Sequence, residues 1–208
     1  NRDKNHPSVI MWCVANEPSS NAAIGSSSDD NKSEDLGYKC LSELIQKFKK
    51  VDDTRLTIFV GVMMGPINWL SLSDVICVNR YWGWYTNTGD IKGGANILSK
   101  EIDRYHKKFQ KPVMVTEFGA DTYPGMHTEQ PEMYTEELQV QFIKAYLDVA
   151  DSKDFVTGMH VWNFADFKTS QNLIRFGGYN MKGVFTRDRK PKEAAYYLRS
   201  RWNKDAKE

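Results

Sequence analysis

Two glutamates sit where reactive groups are expected rather than where surface charge usually falls. Glu17, in Asn16-Glu17-Pro18, ends an apolar run at 9–15 (VIMWCVA), and Glu117, in Thr116-Glu117-Phe118-Gly119, ends another at 113–116. A lone glutamate in such a place often only caps the next helix or pairs with a surface lysine. Two of them, each framed by apolar sequence, suit a reactive pair. Cleavage of a glycosidic bond requires paired carboxylates: one protonated, to donate to the leaving oxygen, and one ionised, to attack the anomeric carbon. A separation of about 5 Å would give retention of configuration through a covalent glycosyl-enzyme. Two further runs end in clusters that suit a sugar, Asn79-Arg80-Tyr81-Trp82-Gly83-Trp84-Tyr85 and Trp162-Asn163-Phe164-Ala165-Asp166. Rings can stack on sugar faces and amides can meet hydroxyls, although any one of these aromatics alone reads as core packing.

The elements that must position these groups alternate along the chain. Strand-like runs fall at 9–15, 56–62, 75–78, 113–116 and 158–164, with helical patterns at 35–50, 97–109, 135–150 and 192–202. Leu36, Cys40, Leu41, Leu44, Ile45 and Phe48 recur at helical spacing, as do Leu138, Phe142, Tyr146 and Val149. Near-continuous apolar strands separated by helices imply a parallel sheet buried on both faces. In such a sheet the strand C-termini share one face, and ligands bind there. Five strands fit an open doubly wound sheet or five-eighths of a (β/α)8 barrel, and the pattern leaves both open. The one low-complexity stretch, 19–33, reads as a polar loop.

The residues are also similar to a known family. Asn16-Glu17-Pro18 and Thr116-Glu117-Phe118-Gly119 resemble the acid/base and nucleophile motifs of glycoside hydrolase family 2. The blocks RDKNHPSVIMWCVANEP, NRYWGWYTNTGD, VTEFGADT, HVWNFADF and KGVFTRDRKPK resemble the β-glucuronidases of that family and run from residue 2 to 192. The resemblance implies an α/β fold, a (β/α)8 TIM barrel of which 1–208 is the C-terminal part with strands 4–8. The family's jelly-roll domain, immunoglobulin-like domain and first barrel strands are absent from this sequence. By resemblance Glu17 is the acid/base and Glu117 the nucleophile of a retaining reaction on β-glucuronides. Asn16 resembles the amide that binds the sugar 2-hydroxyl. Asn180-Met181-Lys182-Gly183 matches an Asn-x-Lys-Gly motif whose amide and ammonium hold the C6 carboxylate. Asn79, Tyr81 and Trp84 would line the pocket, Tyr85 would hydrogen-bond the nucleophile or the substrate carboxylate, and Trp162 would be the floor under the sugar. Arg175 joins the substrate contacts, just before a run, 177–180, one residue longer than the family spacing. Without the resemblance, Lys182 would read as a solvated loop residue.

The remaining features narrow the field. Asp121, Asp166 and Asp188 read as structural partners of nearby Arg and Lys side chains. The four histidines show no ligand spacing, so neither a metal nor another cofactor is expected. A net charge of +1 gives no electrostatic case for nucleic acid, and no apolar run approaches the roughly 20 residues of a membrane span. Cys13, Cys40 and Cys77 fit no disulfide or metal framework and read as inert core thiols, which favours a reducing, cytoplasmic setting. The Asn31-Lys32-Ser33 sequon leaves a lysosomal or secreted one open. Expected partners are glucuronides, the N-terminal remainder of the enzyme and, when intact, further copies of itself. Asn180 and Lys182 disfavour a neutral galactoside but leave a galacturonide open. A catalytically inactive carbohydrate-binding barrel is the rival of another class, opposed by the presence of both glutamates. A nucleotide-binding Rossmann sheet is opposed by the absence of any G-x-G-x-x-G after a strand.

Overall fold

The computed structural model describes residues 2, 3, 5–18 and 36–203; the expected loop at 19–33, with its sequon, lies outside them. In chain order the elements are β1 (Met11–Asn16), α1 (Leu36–Val51), β2 (Leu56–Gly61), β3 (Ile76–Asn79), α2 (Ile91–Phe109), β4 (Val113–Phe118), α3 (Glu136–Asp151) and β5 (Val156–Val161). A short antiparallel pair, β6 (Phe167–Lys168) and β7 (Tyr179–Asn180), precedes α4 (Glu193–Trp202). Strands β1 to β5 form one parallel sheet in sequence order. A doubly wound sheet reverses its strand order partway. The unreversed order here is that of barrel winding, which decides the alternative left open by the pattern. No helix among the described residues is long and apolar enough to cross a membrane.

The chain divides into two compact units, one of residues 1–80, 101–116 and 154–158, the other of 81–100, 117–153 and 159–208. In the first, β2 and β3 are buried along nearly their whole length, and Ile58, Val60, Val75 and Cys77 pack together with Met11 and Met114 against them. Such continuous burial is what their unbroken apolar runs encode. Strand β1 departs from expectation: it is only half-buried, and Cys13 is exposed. Among the described residues it ends the strand order, with β2 as its one neighbour in the sheet. Helix α1 likewise buries a narrower stripe than expected, Leu41 and Ile45, and leaves Cys40 exposed. Of the three thiols only Cys77 is a core residue, and burial pushes it up to about 12. A thiol so held carries almost no thiolate at neutral pH. Alkylation of the native protein is therefore expected to spare Cys77 until denaturant is added, as mass spectrometry would read. Equal labelling before and after denaturation would contradict its burial.

In the second unit, α3 is capped by Thr135, whose hydroxyl accepts from the Leu138 amide at 3.3 Å. Its buried stripe of Leu138, Phe142, Ile143, Tyr146 and Leu147 is close to the one expected, and Phe118 of β4 stacks on Tyr146 at 5.4 Å. Helix α2 starts at Ile91, six residues before the expected 97. Its Gly93-Gly94 pair reads as a break because glycine disfavours helix interiors. Here the Asp90 carboxylate accepts from the Gly93 amide at 2.8 Å. A Cβ on Gly94 would stand 2.3 Å from the Trp82 carbonyl oxygen, so the missing side chain lets the helix lie against that backbone. Strand β5 ends at Val161 rather than 164, which leaves the Trp162-to-Asp166 cluster beyond its C-terminus.

Candidate active site

Glu17 follows β1 directly. The β1–β2 register shifts between Cys13 and Asn16, and Glu17 adopts φ 49° while its amide still donates to the Val60 carbonyl at 2.9 Å. A non-glycine residue in the left-handed region carries a conformational cost, which local interactions must offset. Asn79, fully buried at the end of β3, supplies one such interaction: its Nδ2 donates to Glu17 Oε1 at 2.9 Å and to Asn16 Oδ1 at 3.2 Å. The amide orientation follows from its other end, where Thr116 Oγ1 donates to Asn79 Oδ1 at 2.8 Å. Behind Asn79 lies a charged cluster that sequence reasoning missed. The buried Arg80 guanidinium donates to the carbonyls of Asn79 (2.7 Å) and Gly61 (3.2 Å), to Glu101 Oε2 (2.8 Å) and to the Tyr105 hydroxyl (3.0 Å). An arginine beside an otherwise apolar strand was the available signal, since buried guanidinium must be paired.

The second unit holds Glu117, the penultimate residue of β4, whose Oε2 accepts from the Tyr81 hydroxyl at 2.8 Å. Of the two roles expected of Tyr85, contact with the nucleophile or with the substrate carboxylate, the first falls to Tyr81 instead. Tyr85 packs on the Tyr81 ring, centroids 5.1 Å apart, and its hydroxyl instead accepts from Arg175 Nη2 at 3.0 Å. Lys182 is fully buried rather than solvated. Its ammonium is ion-paired with Asp121 and lies 5.9, 5.3 and 4.8 Å from the ring centres of Tyr81, Trp84 and Tyr85. Arg175 approaches the same Asp121 carboxylate at 3.4 Å. Asn180, also buried, uses its side-chain oxygen to accept from the Lys182 amide at 3.2 Å.

Close backbone packing fixes this cluster. A Cβ on Gly119 would lie 2.1 Å from the Trp162 carbonyl oxygen, and one on Gly183 would lie 2.2 Å from the Asp166 nitrogen. Both positions are therefore restricted to glycine, which gives the glycines of the two motifs a mechanical reason. Trp162 is half-buried, its amide donating to Phe118 at 2.8 Å and its ring edge-on to Phe167. Two buried side chains lace the segments after β4 and β7 together. Gln139 Nε2 donates to the carbonyls of Ala120, Lys182 and Gly183, and Lys192 Nζ to Thr122 O, Met181 O and Asp166. Burial pushes the Asp166 carboxyl up and the Lys192 ammonium down, each opposed by the other's charge. Asp121 and Asp166 are thus the ion-pair partners expected, whereas exposed Asp188 makes no ion pair among the described residues.

Among the described residues one group brings three potential metal-ligand side chains together, His127, Glu137 and Glu193, with ligand atoms within 4.8 Å of one another. It is exposed to half-buried and shares no residue with the clusters above. A hydrogen bond of 2.8 Å from His127 Nδ1 to the Glu137 carboxylate already accounts for the raised pKa of His127.

Comparison with known proteins places these residues in context. The family described as glycosyl hydrolases family 2, TIM barrel domain, matches residues 1–206. A beta-glucuronidase of Paenibacillus borealis is 41% identical over 202 residues, covering 97% of this chain and 32% of that protein. The solved beta-D-glucuronidase of Dictyoglomus thermophilum superposes with a TM-score of 0.84 at 41% identity, over 97% of this chain and 33% of the other. A Ruminococcus gnavus β-glucuronidase in complex with D-glucuronic acid gives 0.83 at 37% identity, over 97% and 33%. This chain spans about a third of the length of each of these relatives.

Proposed function

This chain belongs to the glycosyl hydrolases of family 2, within their TIM barrel domain, and from that premise we propose that the protein carrying it is a retaining β-glucuronidase. Sequence outside these residues would supply the rest of the barrel and its flanking domains. Glu117 attacks the anomeric carbon while Glu17 protonates the departing aglycone oxygen. Glu17 then takes a proton from the water that releases β-glucuronate. Asn79 orients the Glu17 carboxylate and, by donating to Asn16 Oδ1, turns the Asn16 amide nitrogen to the sugar 2-hydroxyl. The Tyr81 hydroxyl holds one Glu117 oxygen, and Trp162 lies under the sugar. Lys182, Asn180 and Arg175 receive the C6 carboxylate. In the conformation described, the Lys182 side chain is fully buried beside the rings of Tyr81, Trp84 and Tyr85.

The observation that carries the reading is the placement of Tyr81, with its hydroxyl on Glu117 and its ring beside the Lys182 ammonium. One side chain thereby links a nucleophile to a cation enclosed by aromatic rings, as a sugar acid attacked at one end and held by its carboxylate at the other demands. The test is hydrolysis of matched aryl β-glucuronide, β-galacturonide and β-glucoside by the intact enzyme and its Lys182→Met variant. A hydrogen bond to a charged group contributes about 1.5–3 kcal/mol, which corresponds to roughly 10- to 150-fold in kcat/KM. That loss is expected for both uronides, to the extent that each is a substrate, and not for the glucoside. Because the variant leaves Asp121 buried without its main partner, a thermal melt accompanies the kinetics. A wild type that prefers the glucoside would remove the glucuronidase reading, and one that prefers the galacturonide would move it to that sugar. Equal losses on all substrates would make Lys182 structural.

A further inference from the structure

Resting on the glucuronidase reading, we propose that Asp121 is a positioning residue that sets the enzyme's discrimination for a uronate: it aims Lys182 and Arg175 at the substrate carboxylate and leaves the cluster with a single net positive charge. The side chain is 5% exposed and makes four contacts to three partners. Oδ2 pairs with the Lys182 ammonium, Oδ1 accepts from the Met181 amide at 3.0 Å, and both oxygens face Arg175 Nη1 at 3.4 and 3.5 Å. One carboxylate thus touches both cations and the backbone immediately before one of them.

The other neighbours of the ammonium explain why this matters. The three aromatic rings around it attract a cation but offer no directional acceptor. An ammonium carries three donors, and Asp121 is the group that fixes where one of them points, and so where the remaining two are available. Charge leads to the same conclusion. Lys182 and Arg175 bring two formal positive charges together and Asp121 one negative. The surplus matches a monoanionic carboxylate, and like-charge crowding of the two cations is relieved before substrate arrives. Asp121 is also well placed to relate the clamp to the chemistry. It lies four residues after Glu117, across the constrained Gly119, and the Thr122 amide beside it donates to Met181 O at 3.0 Å. The buried Gln139 and Lys192 hold the same two segments from behind.

A rival role predicts the opposite sign. If Asp121 only occupied the ammonium in competition with substrate, removing its charge would tighten glucuronide binding. The experiment is steady-state kinetics of the intact Asp121→Asn enzyme on matched aryl β-glucuronide and β-glucoside, with thermal melts and Asp121→Glu alongside. A positioning role predicts a KM for the glucuronide raised roughly tenfold or more, kcat changed by no more than about threefold, and an unaltered glucoside rate. Asp121→Glu, which keeps the charge but displaces it by one methylene, should lie between the variant and wild type. A fall in glucuronide KM overturns the proposal in favour of competition. Equal losses on both sugars overturn it in favour of a structural role. Should Asp121→Asn fail to fold, Asp121→Glu decides by the same criterion, a KM rise confined to the glucuronide. Failure of the glucuronidase reading would show separately, as a wild type without preference for the glucuronide.

Discussion

Glu117→Gln is expected to abolish turnover of every β-glucuronide, with kcat lowered on the order of 10^5-fold, as loss of a covalent nucleophile generally does. The substitution is nearly isosteric. The amide oxygen of the variant can still accept the Tyr81 hydroxyl that Glu117 Oε2 accepts at 2.8 Å. Folding and substrate binding should therefore survive, with KM within a few-fold of wild type, because an amide fails only at the attack on the anomeric carbon. The loss should not depend on the leaving group, since no aglycone, however acidic, supplies the missing nucleophile. Steady-state rates across a series of aryl glucuronides, with a melting curve to confirm folding, would check this. Residual activity that recovers with good leaving groups would assign the nucleophile elsewhere.

Glu17→Gln should behave differently, and the contrast is the stronger test. A general acid contributes typically 10^2- to 10^4-fold, and its help is needed most where the aglycone oxygen is basic. Alkyl glucuronides and those of weakly acidic phenols should lose rate by that factor, whereas activated aryl glucuronides should lose far less in the first step. The same residue is the base of the second step. With an activated substrate the variant should then release one enzyme equivalent of phenol in a burst before a slow steady rate. Stopped-flow measurement would detect it. The geometry supports survival of the fold, because Asn79 Nδ2 meets Glu17 at one oxygen, which the amide oxygen of glutamine can replace. Equal losses for good and poor leaving groups, with no burst, would contradict the role.

The fold class was legible because each strand of the sheet is an apolar run, and four of the five runs are followed by a polar or aromatic cluster. What escaped depended on neighbours distant in sequence. The early start of α2 depends on how closely Gly94 approaches the Trp82 carbonyl. Between Tyr81 and Tyr85 the sequence had no basis for choosing the partner of Glu117. They lie one helical turn apart in spacing, and only the backbone path decides which hydroxyl reaches the carboxylate. Asp121 was read as an ion-pair partner, and its salt bridges agree. That it joins two cations chosen independently as carboxylate ligands could not be read from a spacing of more than fifty residues. The role of Arg80 escaped for a similar reason, since its acceptors lie on β2, β3 and α2.

The central claim, a retaining glucuronidase working through a covalent intermediate, is tested most directly by proton NMR of an aryl β-glucuronide digest. The intact enzyme is added and the anomeric signals of free glucuronate are followed before mutarotation mixes them. The account predicts that the β-anomer appears first and the α-anomer grows in later at the uncatalysed rate. Initial release of the α-anomer would mean inversion, and would remove Glu117 as a nucleophile.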